Sequence, residues 1–265
     1  MPKLSVRNLS KSYPNGDSED VEVFHDISFD VHDGELLAIL GPSGCGKTTL
    51  LKIIAGLLEP DDGQIFIDDK EVHTGHNRVG YIFQQESLFP WRTVRENIQF
   101  GLEVAHVNKT EMDLRVNEII KIVGMEGLGD NYPHEISGGQ ARKTEMARSL
   151  VVSPDILVSD EALSNLDAQT RNYLQEEILR IQETTGSTIV LVSHNVDEAV
   201  FMADRIIVLS NIPARIIAEY TVDIPKPRHR ASAECLAYRS EILNVLKVEQ
   251  EKAMARVRQK QSAAT

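Results

Sequence analysis

The chain has 265 residues, 42% hydrophobic and 26% charged, which suits one large or two small domains with a full core. A formal net charge of −12 argues against a general nucleic-acid binder, which carries a basic footprint. Two cysteines, Cys45 and Cys235, exclude a disulfide framework and most structural zinc sites, while the absence of any apolar run near the roughly 18 residues of a membrane span, and of a signal-peptide pattern at MPKLSVRNLSKSY, leads us to expect a cytosolic chain.

Strand patterns come first, at residues 4–8, 21–31 and 35–40, the third almost continuously apolar, as in a strand buried on both faces. A helix over 47–58 follows and is closed by the turn signal Glu59-Pro60-Asp61-Asp62-Gly63. Short strands at 64–68 and 78–83 precede a helical stretch over 93–124, in which Thr110-Glu111-Met112-Asp113 reads as a capping box. The rest alternates: helix 138–152, strand 156–160, helix 168–184, strand 187–193, helix 196–202, strands 206–209 and 216–222, and a helix from 233 that frays into a polar tail by 265. Alternating strands and helices imply a parallel α/β core, with a β-rich opening and a helical middle as two lobes around it.

Gly41-Pro42-Ser43-Gly44-Cys45-Gly46-Lys47-Thr48 fits G-x-x-x-x-G-K-[ST] between a buried strand and a helix, the context that this phosphate loop requires. Its glycines let the backbone N–H groups turn inward, and the helix N-terminus adds partial positive charge for phosphates. Lys47 then reaches the β- and γ-phosphates, and the Thr48 hydroxyl ligates Mg²⁺. Cys45 reads as a small filler rather than a redox switch.

A second helix start, Ser137-Gly138-Gly139-Gln140, again offers free N–H groups and a hydroxyl to anionic oxygens, although alone it would be an ordinary cap. An apolar strand then ends in Asp160-Glu161: Asp160 suits Mg²⁺ coordination through water, and Glu161 suits polarising an attacking water. A third apolar strand ends in Ser193-His194; an isolated histidine there would be structural, but this order and company reverse the reading.

Together these residues resemble the ATPase subunit of an ABC transporter over roughly residues 3–230. The resemblance makes Gly41–Thr48 the Walker A loop, with Thr49 beside it, and places Tyr13 where the family stacks an aromatic ring on adenine. Gln84 takes the Q-loop position, Ser137–Gln140 the signature, Asp160 and Glu161 the Walker B pair, Ser164-Asn165-Leu166-Asp167 the D-loop, and His194 the switch histidine. It implies an ABC ATPase fold: a P-loop NTPase core with parallel sheet, an antiparallel β subdomain and an α-helical subdomain at about 93–152, within a domain over 1–230, followed by a C-terminal helical extension over 231–265. It implies catalytic roles for Glu161, His194 and Gln84, and Mg²⁺ held by Thr48, Gln84 and Asp160. Two subunits, copies or paralogues, would pair head to tail on ATP, with Ser137–Gln140 of one closing on the nucleotide of the other. Transmembrane permease subunits would dock near 84–91, a solute-binding protein would act indirectly, nucleic acid would play no part, and the chain would sit on the cytoplasmic face of the cell membrane.

Within that family the stretch Phe89-Pro90-Trp91-Arg92-Thr93-Val94, together with Pro213-Ala214-Arg215-Ile216 and Ile224-Pro225-Lys226-Pro227-Arg228, resembles importers for nitrate, sulfonates, taurine and bicarbonate. Leu88, Phe89, Pro90 and the single Trp91 then form an apolar tip for a permease; the alternative is that Trp91 packs on the helical lobe. The terminal helix around Leu236, Ile242, Leu243 and Leu246 is expected to pack on its own core. Three residues depart from the family pattern: Ala162 for proline after the catalytic glutamate, Ser159 for an aliphatic residue, and Ile136 for leucine. Losing proline frees one φ angle, an effect of about 0.5–1 kcal/mol on loop rigidity, and removes no catalytic atom. The competing readings are an ABC ATPase of lipid trafficking or export, and a soluble non-transport ABC ATPase; the latter usually carries a long coiled coil or two cassettes.

Overall fold

The computed structural model describes every residue except Asp17, Asn165, Ala264 and Thr265, and every side chain among them save those of Ser18, Glu19 and residues 256–263. Asn165, part of the expected D-loop, therefore lies outside the described residues. The chain divides into two compact units, Met1–Gly75 with Val190–Thr265, and His76–Ile189.

The first unit opens with a four-stranded antiparallel sheet built from β1 (Pro2–Asn15), β2 (Ser18–His32), β4 (Asp62–Ile67) and β5 (Lys70–Val72), in the order β2-β1-β4-β5. β1 and β2 run well beyond the apolar patches expected of them, because register shifts between Val6 and Leu9 and again near Lys11 break the two-residue alternation that betrays a strand. β5 was not expected at all. It is a three-residue edge strand reached through Asp68 and Asp69, both with positive φ (50° and 58°), so a two-residue hairpin forms without the usual Asn-Gly or Asp-Gly signal.

In the same unit β3 (Leu36–Leu40) is buried throughout and pairs in parallel with β9 (Arg205–Leu209), which pairs antiparallel with β10 (Ile216–Thr221). β8 (Thr188–Ser193) neighbours β3 on its other side. After β3 comes α1 (Lys47–Ile54), shorter than the 47–58 expected. Gly56, at φ 68°, turns the chain left-handed; its N–H bonds to Ile53 O and that of Leu57 to Lys52 O, the paired contacts of a Schellman stop. Apolar Leu57 and Leu58 thus lie outside the helix they extend in the sequence.

Helices α6 (Val196–Met202) and α7 (Ala233–Ala263) complete the unit. On α7, Cys235, Ile242 and Glu249 are buried, a stripe with a seven-residue period, whereas Leu236 and Leu243 are 48% and 39% exposed. The terminal helix thus packs through Ile242, as expected, and Leu246 is half-buried, but Leu236 and Leu243 depart from the expectation: each follows a stripe residue by one, which turns it about 100° away on a 3.6-residue helix. The polar end of α7 falls on residues whose side chains are outside the described set.

The second unit carries β6 (Val79–Ile82) and β7 (Ile156–Asp160), parallel to each other, with α2 (Val94–Val104), α3 (Lys109–Ile122), α4 (Gly138–Leu150) and α5 (Ala168–Thr185). The helical stretch over 93–124 is two helices, broken where His106 takes a positive φ of 55°. The capping box expected at Thr110 is absent there, because α3 starts earlier: the Asn108 side chain accepts from Glu111 N–H and leaves Thr110 inside the first turn. The box forms instead at Thr93 and Glu96, at the start of α2. Among the described residues no helix is long and apolar enough to cross a membrane.

Candidate functional site

In the first unit the phosphate loop leaves β3 and enters α1. Gly46 is the N-cap of α1 at φ 99°, and a Cβ there would lie 2.3 Å from Val23 Cγ1, so only glycine fits. Gly41 is equally enclosed: its Cβ would come within 2.8 Å of Cys45 Sγ, and Cys45 is buried, as a filler should be. Lys47 is 5% exposed and donates from Nζ to the carbonyls of Gly41 (2.9 Å) and Pro42 (3.0 Å), which hold the ammonium at the loop. Ser43, Gly44 and Thr48 are exposed on it, Pro42 and Thr49 half-buried. The first turn of α1 contains no acidic residue, so its N-terminal partial charge stays available to an anion. Tyr13, 41% exposed, lies on β1 opposite Val21 of β2, the strand that supplies Val23 beneath Gly46.

His194 follows β8 and is exposed. Its neighbours fix the turn: the Ser193 hydroxyl donates to the buried carboxylate of Glu198, and Asn195 caps α6 by accepting from Asp197 and Glu198 N–H.

The second unit gathers Gln84, Asp160, Glu161 and the signature. Asp160 ends β7, 4% exposed, and accepts from the Tyr81 hydroxyl at 3.0 Å. Burial and then the neighbouring Asp160 push the Tyr81 phenol well above its ordinary value, so it stays protonated as a hydrogen-bond donor. Glu161 follows at φ 46°, a left-handed backbone that costs a non-glycine residue about 1–3 kcal/mol. Gln84 Nε2 approaches Glu161 Oε2 at 3.4 Å, long for a hydrogen bond but close enough to join the two in one site. Strain at Glu161 predicts that Glu161→Gly melts about 2–4 °C higher than the native chain, from roughly 1 kcal/mol of relieved backbone strain, while losing turnover; a lower melting point would show that φ 46° is unstrained.

Ser137 caps α4 in a reciprocal box: Ser137 Oγ accepts from Gln140 N–H at 3.3 Å, and Gln140 Oε1 accepts from Ser137 N–H at 2.8 Å. The N–H groups of Gly138 and Gly139 are then the first-turn donors for which α4 itself has no acceptor. Asp167 caps α5, accepting from Gln169 and Thr170 N–H at 3.0 Å each; a bond from the Thr170 side chain, and then these backbone bonds, hold its carboxyl below the usual range.

Sequence reasoning missed Tyr81, Asn97, Arg142, Glu145 and Arg148. Asn97 is fully buried, accepting from Phe89 N–H and donating to the carbonyls of Phe89, Arg92 and Thr93. It clasps the loop whose Trp91 is 72% exposed with its ring 5.6 Å from Phe89. Trp91 does not pack on the helical lobe. The available signal was charge in the wrong place, since α4 buries Arg142, Lys143 and Glu145.

Residues 24–164 match the family described as ABC transporter. An uncharacterised ABC transporter ATP-binding protein of Methanocaldococcus jannaschii is 46% identical, covering 93% of this chain and 92% of that protein. The taurine import ATP-binding protein of Roseobacter denitrificans is 38% identical, covering 93% and 94%. A dimeric ATP-binding cassette solved in a post-hydrolysis state with ADP and Pi superposes with a TM-score of 0.71 at 27% identity, over 84% of this chain and all of that one. The phosphate loop, the Asp160–Glu161 pair and these likenesses agree: the chain belongs to the ABC transporter family, as an ATP-binding ATPase with the α/β P-loop NTPase fold.

Proposed function

We propose that this ATPase is the motor subunit of an importer, pairing head to tail on ATP and coupling hydrolysis to passage of a small solute through separate membrane subunits. The observation that carries the reading is the loop after β6: Gln84 at its start approaches Glu161, and its other end is the exposed apolar tip with Trp91. One short segment thus touches the chemistry and offers a surface to a partner. The name of the taurine import relative supports a small sulfonate solute such as taurine, and the resemblance of the 89–94, 213–216 and 224–228 stretches extends the candidates to other sulfonates, nitrate and bicarbonate.

In this reading Lys47 and the N–H groups of 41–48 hold the phosphates, Tyr13 meets the adenine, and Ser137–Gln140 of the second subunit, a copy or a paralogue, closes on the nucleotide. Among the described residues no cluster of three His, Cys, Asp or Glu is arranged for a metal. The donors assigned to Mg²⁺ are instead a hydroxyl (Thr48), an amide oxygen (Gln84) and one carboxylate (Asp160), all hard oxygens of the kind that suits it. Mg²⁺ bound there would neutralise charge on the phosphates. Glu161 takes the proton of the attacking water, and His194 senses the γ-phosphate. The permease docks near 84–91, a solute-binding protein acts through that permease, nucleic acid has no part, and the subunit sits on the cytoplasmic face of the membrane.

The test is ATP turnover of the purified chain with and without a candidate membrane permease pair. Stimulation by the permease, abolished by Trp91→Ala while basal turnover persists, is expected. Stimulation by nucleic acid or ribosomes, with indifference to the permease, would sink the importer reading.

A further inference from the structure

Helix α4 sends three charged side chains onto the loop that follows β6. Arg142, 6% exposed, donates to the carbonyls of Phe83 (3.0 Å) and Gln84 (2.6 Å), and to Glu145 Oε2 (2.6 Å). Glu145, 1% exposed, accepts through its other oxygen from the Ser87 N–H and from the Ser87 hydroxyl at 3.0 Å. Arg148 donates to the Ser87 carbonyl at 2.8 Å and to its hydroxyl.

A buried ion pair is a weak source of stability, since apolar residues of similar volume often replace one at no cost. What this pair does is specific: besides bonding to each other, the side chains of Arg142 and Glu145 bond to the loop at residues 83, 84 and 87. The carbonyl of Gln84 is held directly, and a held main chain fixes where the Gln84 side chain starts. That side chain ends 3.4 Å from Glu161. A flexible loop would let the amide wander over distances that matter, because a misplacement of about 1 Å can cost as much as a hundredfold in rate. The planar fork of arginine reaches two carbonyls and a carboxylate at once, which a lysine ammonium on a single stem does not reproduce.

We propose that Arg142, braced by Glu145, is a positioning residue that holds Gln84 at the Glu161 carboxylate, tying the helix that carries the signature to the loop that carries Gln84. The proposal rests on the reading of Gln84 and Glu161 as catalytic machinery.

A double-mutant cycle in the full chain tests it. The variants are Gln84→Ala, the charge-free pair Arg142→Gln with Glu145→Gln, and all three changes together, each measured for kcat, ATP affinity and melting temperature. The pair is expected to lower kcat about tenfold with ATP affinity within about twofold, and to add almost nothing once Gln84 is alanine. Arg142→Lys, which keeps the buried charge paired and protects the fold, is expected to lose kcat as well. Losses that multiply in full with Gln84→Ala, a loss confined to melting temperature or ATP affinity, or native kcat in both Arg142 variants would each overturn the proposal. Native turnover in Gln84→Ala and in Glu161→Gln would instead remove the underlying reading, an outcome read from variants that leave Arg142 untouched.

Discussion

Glu161→Gln turns over ATP about a thousandfold more slowly than the native chain, the midpoint of what a positioned general base contributes, and binds ATP with unchanged affinity. The two halves of that expectation have separate causes. On the proposed reading affinity resides in the phosphate loop, and a substitution at the end of β7 changes none of the residues of that loop or of α1. Turnover needs a group that accepts a proton, and an amide of the same shape does not. The Gln84 amide still finds an oxygen at position 161, so the loop after β6 keeps its place. If ATP is the ligand that joins two subunits, the variant accumulates as an ATP-bound pair, because the step that reopens the pair is the one removed. Size exclusion with ATP should show a doubled mass for the variant and little of it for the native chain. Hydrolysis near the native rate would remove Glu161 from the role of base, and a variant that is slow but always monomeric would remove the head-to-tail pair.

The parts of this site that were legible in the sequence share one property: each is a short stretch of consecutive residues whose chemistry depends on main-chain shape. Gly41–Thr48 and Ser137–Gln140 need glycine where the chain turns into a helix, and Asp160-Glu161 needs an apolar run to end in carboxylates, so composition and order suffice. What was illegible depends on side chains reaching distant main chain. Arg142 meets Phe83 and Gln84 across 59 and 58 positions, and nothing in a linear pattern marks such a bond. Tyr81 beneath Asp160 is hidden for the same reason, at a separation of 79. The left-handed backbone of Glu161 is hidden for another, since no local turn signal marks it and only the folded chain imposes it. In the fold, boundaries failed where one residue overrode periodicity: Gly56 ending α1, His106 separating α2 from α3, and the Asp68-Asp69 turn creating β5.

Arg228→Ala costs about 3–5 kcal/mol, the range for stripping the partner from buried polar groups, and so lowers the melting temperature by about 6–20 °C for a chain of this size. Arg228 is 6% exposed, and its guanidinium donates to the carbonyls of Val200 (2.8 Å), Phe201 (3.4 Å), Ala203 (2.6 Å), Val222 (3.0 Å) and Ile224 (2.9 Å). Val200 and Phe201 belong to the last turn of α6, whose carbonyls have no intrahelical donor, and a cation there also meets the negative end of the helix dipole. Burial pushes the guanidinium below its ordinary pKa, offset in part by Asp204, but arginine starts so high that it remains charged. One side chain therefore satisfies the end of α6 and pins the segment leading to α7 against it. Lys226 supplies the control: two positions away, it pairs with Asp204 at 2.7 Å, but both side chains are partly exposed, and such pairs contribute about 0–1 kcal/mol. A loss in Arg228→Ala no larger than in Lys226→Ala would mean that water replaces the guanidinium at those carbonyls. The consequence reaches the site, because α6 begins directly after His194 and Asn195, and a helix loosened at its end holds its first turn less well. Turnover of Arg228→Ala, measured well below its melting point, should fall by a smaller factor than in Glu161→Gln, since a displaced His194 still samples its place while a missing carboxylate never does.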